Sequence, residues 1–147
     1  MTVPAPARRH SVLLVEDDAA DAMLIEEALV ERGTLRTIIR AEDGVAALEY
    51  LRDPLRPLPD LIILDLNMPR LNGRELLHVL KTDQGLQQIP VVVLTTSSAP
   101  EDISGSYRQH ANAYVTKPVN LDDFTRAAQR IDAFYLDTAA LPPQQRN

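Results

Sequence analysis

Leu61-Ile62-Ile63-Leu64-Asp65-Leu66-Asn67-Met68-Pro69 reads as a strand that stops at an acid. Its four branched apolar residues run without polar alternation, the pattern of a strand covered on both faces, as in a parallel sheet. Working outward, the same arrangement recurs. Val12-Leu13-Leu14-Val15 is followed by Glu16-Asp17-Asp18, and Val91-Val92-Val93-Leu94 by Thr95-Thr96-Ser97-Ser98. Weaker strands are predicted at Thr37-Ile38-Ile39 and at Ala113-Tyr114-Val115, the latter leading into Thr116-Lys117-Pro118. That makes about five strands.

Between these runs the apolar spacing is helical: Ala22, Ile25, Ala28 and Leu29; then Leu76, Leu77 and Leu80; then Phe124, Ala127, Ala128, Ile131 and Tyr135. Gly33 ends the first helix, Pro69 to Gly73 breaks the chain after the third strand, and Asn120 caps the last helix. Alternating strands and helices predict an α/β fold, a doubly wound five-stranded parallel sheet with helices on both faces. A site in such a sheet lies beyond the carboxyl ends of the strands.

Composition narrows the function. The 147 residues, with 45% hydrophobic and 24% charged, suit one compact domain. Expected boundaries are a disordered tail over 1–10, the domain over 11–136 and a second tail over 137–147. The 15 basic and 21 acidic residues give a net charge of −6, which argues against nucleic acid as a partner. With no Cys, thiolate chemistry and disulfides are absent, as suits a cytoplasmic protein. No stretch is long and apolar enough to span a membrane, so no membrane partner is expected. His10, His78 and His110 show no paired metal spacing and are read as surface residues.

The residues that end the strands form a chemical set. Glycine fingerprints for dinucleotide or P-loop binding are missing from the turn after the first strand, which is acidic instead. Each piece alone has a plain structural explanation: an acidic run caps a helix, Asp before Asn-x-Pro starts a turn, and most Lys are surface charges. Together, carboxylates within ~4 Å of one another would repel by roughly 4 kcal/mol per pair at an effective dielectric near 20, so the cluster needs a cation. Hard oxygen ligands suit Mg²⁺ (or Mn²⁺), and a Lys and a Thr beside them suit phosphoryl transfer onto an Asp carboxylate.

At Leu14 to Asp18, Leu64 to Pro69, Leu94 to Ser97 and Tyr114 to Pro118 the sequence resembles the receiver domain of two-component response regulators, over about residues 11–136. The resemblance implies a flavodoxin-like sheet in strand order 2-1-3-4-5. It makes Asp65 the phosphoacceptor and Glu16, Asp17 and Asp65 the acidic metal pocket, with Asn67 offering its backbone carbonyl. Thr95 and Lys117 would engage the phosphoryl oxygens, Tyr114 would be the aromatic switch that moves with Thr95, and the Lys117–Pro118 bond would be cis. Asp18 is expected to cap the first helix. Asn67 and Ser97, each two residues beyond a site residue, would flank the path of attacking water and tune dephosphorylation.

The run Thr95 to Ser98, the segment Asn112 to Val119 and the lack of an output domain extend the resemblance to single-domain regulators that work with phytochrome-type histidine kinases. The implied function is phosphoryl acceptance from a sensor histidine kinase, with no catalysis beyond accepting and hydrolysing the group. The alternative is an adaptor that keeps the fold and works without phosphorylation. An aspartate-based phosphatase fits less well, because Asn67 stands where that chemistry needs a second acid. A homodimer is expected on the face of the fourth helix, fifth strand and fifth helix. Phe134, Tyr135 and Leu136 are consecutive there, and one helical face cannot bury all three.

Overall fold

The computed structural model describes residues 9–143. Five strands, β1 (His10–Val15), β2 (Arg36–Ala41), β3 (Leu61–Leu64), β4 (Val91–Thr95) and β5 (Ala113–Thr116), alternate with five helices. These are α1 (Ala19–Glu31), α2 (Gly44–Arg52), α3 (Gly73–Thr82), α4 (Pro100–Arg108) and α5 (Leu121–Asp132). All pairings are parallel and the order is β2-β1-β3-β4-β5, as the resemblance implied. The chain crosses from β1 to β2 on one side and returns to β3 on the other. The strand order therefore reverses between β1 and β3, where ligands bind in such sheets.

Alternate strand residues feed two separate cores. Leu13, Val15, Ile62, Leu64, Val91 and Val93 pack with Leu51 of α2 and Leu76, Leu77 and Leu80 of α3. Val12, Leu14, Leu61, Ile63, Val92 and Leu94 pack on the other face with Ile25 and Leu29 of α1 and Phe124, Ala128 and Ile131 of α5. This two-sided burial is why the central runs lack polar alternation.

The helix α4 differs. It buries only Ser106, and polar links join it to its neighbours: Arg74 to Asp102, His78 to Gln109, and the Tyr114 amide to the Tyr107 hydroxyl. Neither α4 nor the nine-residue α2 was among the helices read from apolar spacing.

Two expectations are corrected at the C-terminal side. The helix does not stop at the expected boundary of 136, because α5 runs on into a π-helical turn, Ala133–Thr138. The wider turn brings Asp132 and Asp137, five residues apart, to one side, where both pair with Arg32 at the end of α1 and Arg36 of β2. Leu141 also packs against the core, so the chain expected as a tail contributes to the fold. Most of the expected N-terminal tail, residues 1–8, lies outside the described residues, as do 144–147. The second correction concerns the Lys117–Pro118 bond, which is trans like every other peptide bond among the described residues. Trans is the lower-energy isomer by about 0.5–1 kcal/mol before proline, and the trans chain already brings the Lys117 amine to its partners.

Candidate functional site

The sheet ladder continues past the strands and fixes the site. The Glu16 amide donates to the Ala41 carbonyl at 3.0 Å, Asp65 to Val15 at 3.0 Å and Lys117 to Thr95 at 2.7 Å. Three of the predicted site residues are thus held by backbone bonds between neighbouring strands. Gly73, at the start of α3, completes the floor: a Cβ there would lie 2.2 Å from the Asp65 carbonyl oxygen. Only a glycine lets α3 approach the loop after β3 this closely.

Glu16, Asp17 and Asp65 each offer a carboxylate oxygen, and these lie within 4.8 Å of one another. Glu16 and Asp65 are buried while Asp17 is exposed. Buried acids this close, with one face open to solvent, fit a hard divalent cation that keeps part of its water shell. Asp18 is the N-cap of α1, as expected, accepting from the amides of Ala20 and Asp21. That cap holds the acidic turn against the first helix.

Lys117 is the cationic counterpart. Its amine lies 2.5 Å from Glu16 Oε1, 2.8 Å from Asp21 Oδ2 and 3.4 Å from Asp65 Oδ2. Burial opposes the charge on Lys117, yet the hydrogen bonds to Asp21 and Glu16 raise its pKa above the ordinary lysine value, and it stays an ammonium. Burial pushes the Glu16 carboxyl up from 4.5 to about 7; the Lys117 hydrogen bond pulls the other way, and the Asp65 charge adds to the rise.

The remaining predicted residues lie around this centre. The Asn67 amide donates to Asp65 Oδ1 at 3.2 Å, and its side chain reaches the fully buried Thr95 hydroxyl at 3.5 Å. Tyr114 packs against the core beside β4, its hydroxyl donating to the Ser97 carbonyl at 2.7 Å. Ser97 is part of a chain of contacts rather than an open wall: its hydroxyl donates to Asp102 at 2.6 Å, and Asp102 accepts from Arg74 of α3. Of the three histidines, His78 and His110 are exposed and His10 is partly so.

Two site residues escaped the sequence reading. Asp21 is one: it lies in the first turn of α1, and nothing in the local sequence links it to Lys117, 96 residues away. Arg40 is the other: its guanidinium donates to the carbonyls of Glu16 and Asp17, both at 3.1 Å, and braces the acidic turn from β2.

The family model of the response regulator receiver domain matches residues 12–129. The chain belongs to the response regulator receiver family. Among its relatives, this receiver is 43% identical over 135 residues to the response regulator Rcp1 of Synechocystis, covering 89% of this chain and 92% of that one. The crystal structure of the phosphorylated cyanobacterial phytochrome response regulator RcpA superposes with a TM-score of 0.89 at 42% identity, over 92% of this chain and all of the other. The Mn²⁺-bound form of Rcp1 matches with a TM-score of 0.87 at 42% identity, over 91% and 99% of the two chains. Receivers of this family bind a divalent metal, accept phosphoryl groups and pair with sensor histidine kinases. The acidic group Glu16, Asp17 and Asp65 of this receiver fits that metal role.

Proposed function

We propose that Asp65 accepts the phosphoryl group, from a phosphohistidine of a phytochrome-type sensor kinase, in a Mg²⁺-dependent reaction. The observation that carries this reading is the convergence of a buried ammonium and two further carboxylates on the Asp65 carboxylate at the strand-order reversal. An Asp65 carboxylate oxygen attacks phosphorus. The O–P bond forms as the N–P bond breaks, and the electron pair of that bond returns to the imidazole nitrogen. Glu16, Asp17, Asp65 and the Asn67 carbonyl would hold Mg²⁺, which neutralises charge on the phosphoryl oxygens. Lys117 and Thr95 take the remaining oxygens, and water later hydrolyses the acyl phosphate in a reaction tuned by Asn67 and Ser97. Tyr114 follows Thr95, so the state of Asp65 is passed to the surface of α4 and β5.

The phytochrome assignment is supported by the likeness to RcpA and to the bacteriophytochrome response regulator RtBRR, 36% identical with a TM-score of 0.71. The kinase docks at the rim of the site, where Val119 and Leu121 are exposed in the groove that Lys117 and Asp21 also line. A second copy covers the other signalling face, where Tyr107 and Phe134 are half exposed. Asn112 and Ala113 leave that face without acidic residues just before Tyr114, so apolar contact rather than charge pairing holds the dimer.

Acetyl phosphate with Mg²⁺ tests the acceptor directly. One label should appear, on Asp65, and vanish on chelation of the metal. Labelling unchanged in Asp65→Asn would refute the assignment.

A further inference from the structure

The Lys117 ammonium has three protons and three carboxylate partners, so every donor is taken. The partners are unequal. Glu16 and Asp21 are bound at 2.5 and 2.8 Å, whereas Asp65, the group to be modified, is reached only at 3.4 Å. The amine is therefore drawn towards the first turn of α1 and away from the acceptor.

Glu16 belongs to the acidic pocket; Asp21 does not. It falls outside the group whose oxygens converge on a common point, and its side chain is 28% exposed at the rim of a groove lined by Leu24, Thr96, Pro118, Val119 and Phe124. Its conformation is set by α1, whose first-turn amides, Asp21's own included, are capped by Asp18. A carboxylate so placed does two things. It competes with an incoming phosphoryl oxygen for a Lys117 proton, and it adds a negative charge beside the entry path of a dianion.

We propose that Asp21 is a positioning residue that holds Lys117 back in the resting receiver and thereby slows phosphorylation of Asp65. The idea rests on the acceptor reading above and goes beyond it, because it gives a role to a residue outside the acceptor, metal and switch sets. It also explains why a residue on the α1 rim should matter to a donor. A kinase that seats there and offers Asp21 another partner releases the amine towards the phosphoryl group.

The test uses the full chain, saturating Mg²⁺ and acetyl phosphate, a donor too small to dock on α1. Asp21→Asn keeps the shape and removes the charge, and should label Asp65 roughly threefold to tenfold faster than wild type. That range lies between the worth of an exposed ion pair and of a buried charge-assisted hydrogen bond. Asp21→Glu restores the charge and should bring the rate most of the way back, which a purely structural disturbance would not do. Thermal melts of both variants confirm that the fold is intact, as expected for a partly exposed helical position. An Asp21→Asn rate equal to or below wild type would overturn the proposal, and so would equal acceleration in both variants. A wild type that takes no label at Asp65 would overturn the acceptor reading and Asp21's role with it.

Discussion

Asp132 has no solvent exposure, and it carries the junction between α1, β2 and the π-helical turn. Its two oxygens pair with Arg36, at 2.8 Å to the guanidinium Nε, and with Arg32. The Arg36 side chain is itself only 6% exposed, so Asp132→Ala strands a buried cation. Removing one partner of a buried pair costs about 3–5 kcal/mol, and because Asp137 still holds Arg36 at 2.8 Å the lower end is expected. With ~2.1 cal/mol/K of unfolding entropy per residue, 147 residues convert 1 kcal/mol into roughly 3 °C. Thermal denaturation should therefore show Tm lowered by about 10 °C. Asp137→Ala is the control. Its carboxylate is 37% exposed, and surface pairs contribute about 1 kcal/mol or less, so about 3 °C is expected. Hydrogen bonding to Arg32 holds the Asp137 carboxyl below its ordinary 3.8. Its contribution is thus complete at neutral pH and lost as pH falls through that lowered value, which should shrink the control's effect in acid. Equal Tm losses for the two variants at neutral pH would refute the reasoning.

Three further outcomes are expected. Lys117→Ala should leave slow labelling by acetyl phosphate but abolish the structural response, read as chemical-shift change at Tyr114; a wild-type response would contradict the switch path. Because the proposed metal site uses the ionised Glu16 carboxylate and burial raises its pKa to about 7, Mg²⁺ affinity by calorimetry should tighten about tenfold from pH 6 to pH 8. A flat profile would show that Lys117 keeps Glu16 ionised throughout. Phe134→Ser should convert a dimer to a monomer in sedimentation while leaving Tm within a few degrees, since the ring is 54% exposed; a wild-type monomer would defeat the dimer. This substitution is preferable to truncation after Asp132, which would also remove the Asp137 pairs.

The sheet was legible because strands buried on both faces leave unbroken apolar runs, and the residues of the candidate site, Glu16, Asp17, Asp65, Thr95 and Lys117, were legible because each stands at the end of a strand. The helix α1 could be read from Ala22, Ile25, Ala28 and Leu29, whereas α4, with one buried residue, leaves no stripe to read. Charge pairing between distant segments is equally silent. Lys117 meets Asp21, and Arg36 meets Asp132, across 96 residues in each case, and no local pattern marks either pairing. The π-helical turn was missed for the same reason, since it exists to bring Asp137 to arginines that spacing within the last helix does not reveal.

The attachment of α4 has a consequence for how receivers of this kind diversify. A helix that rests on side-chain hydrogen bonds and gives almost nothing to either core can exchange most of its residues without opening a cavity. Recognition by a new partner can therefore be rewritten on α4 while the acceptor chemistry behind it stays constant. The part of the molecule most constrained by packing and the part most free to acquire new listeners are adjacent, joined through Ser97 and Asp102.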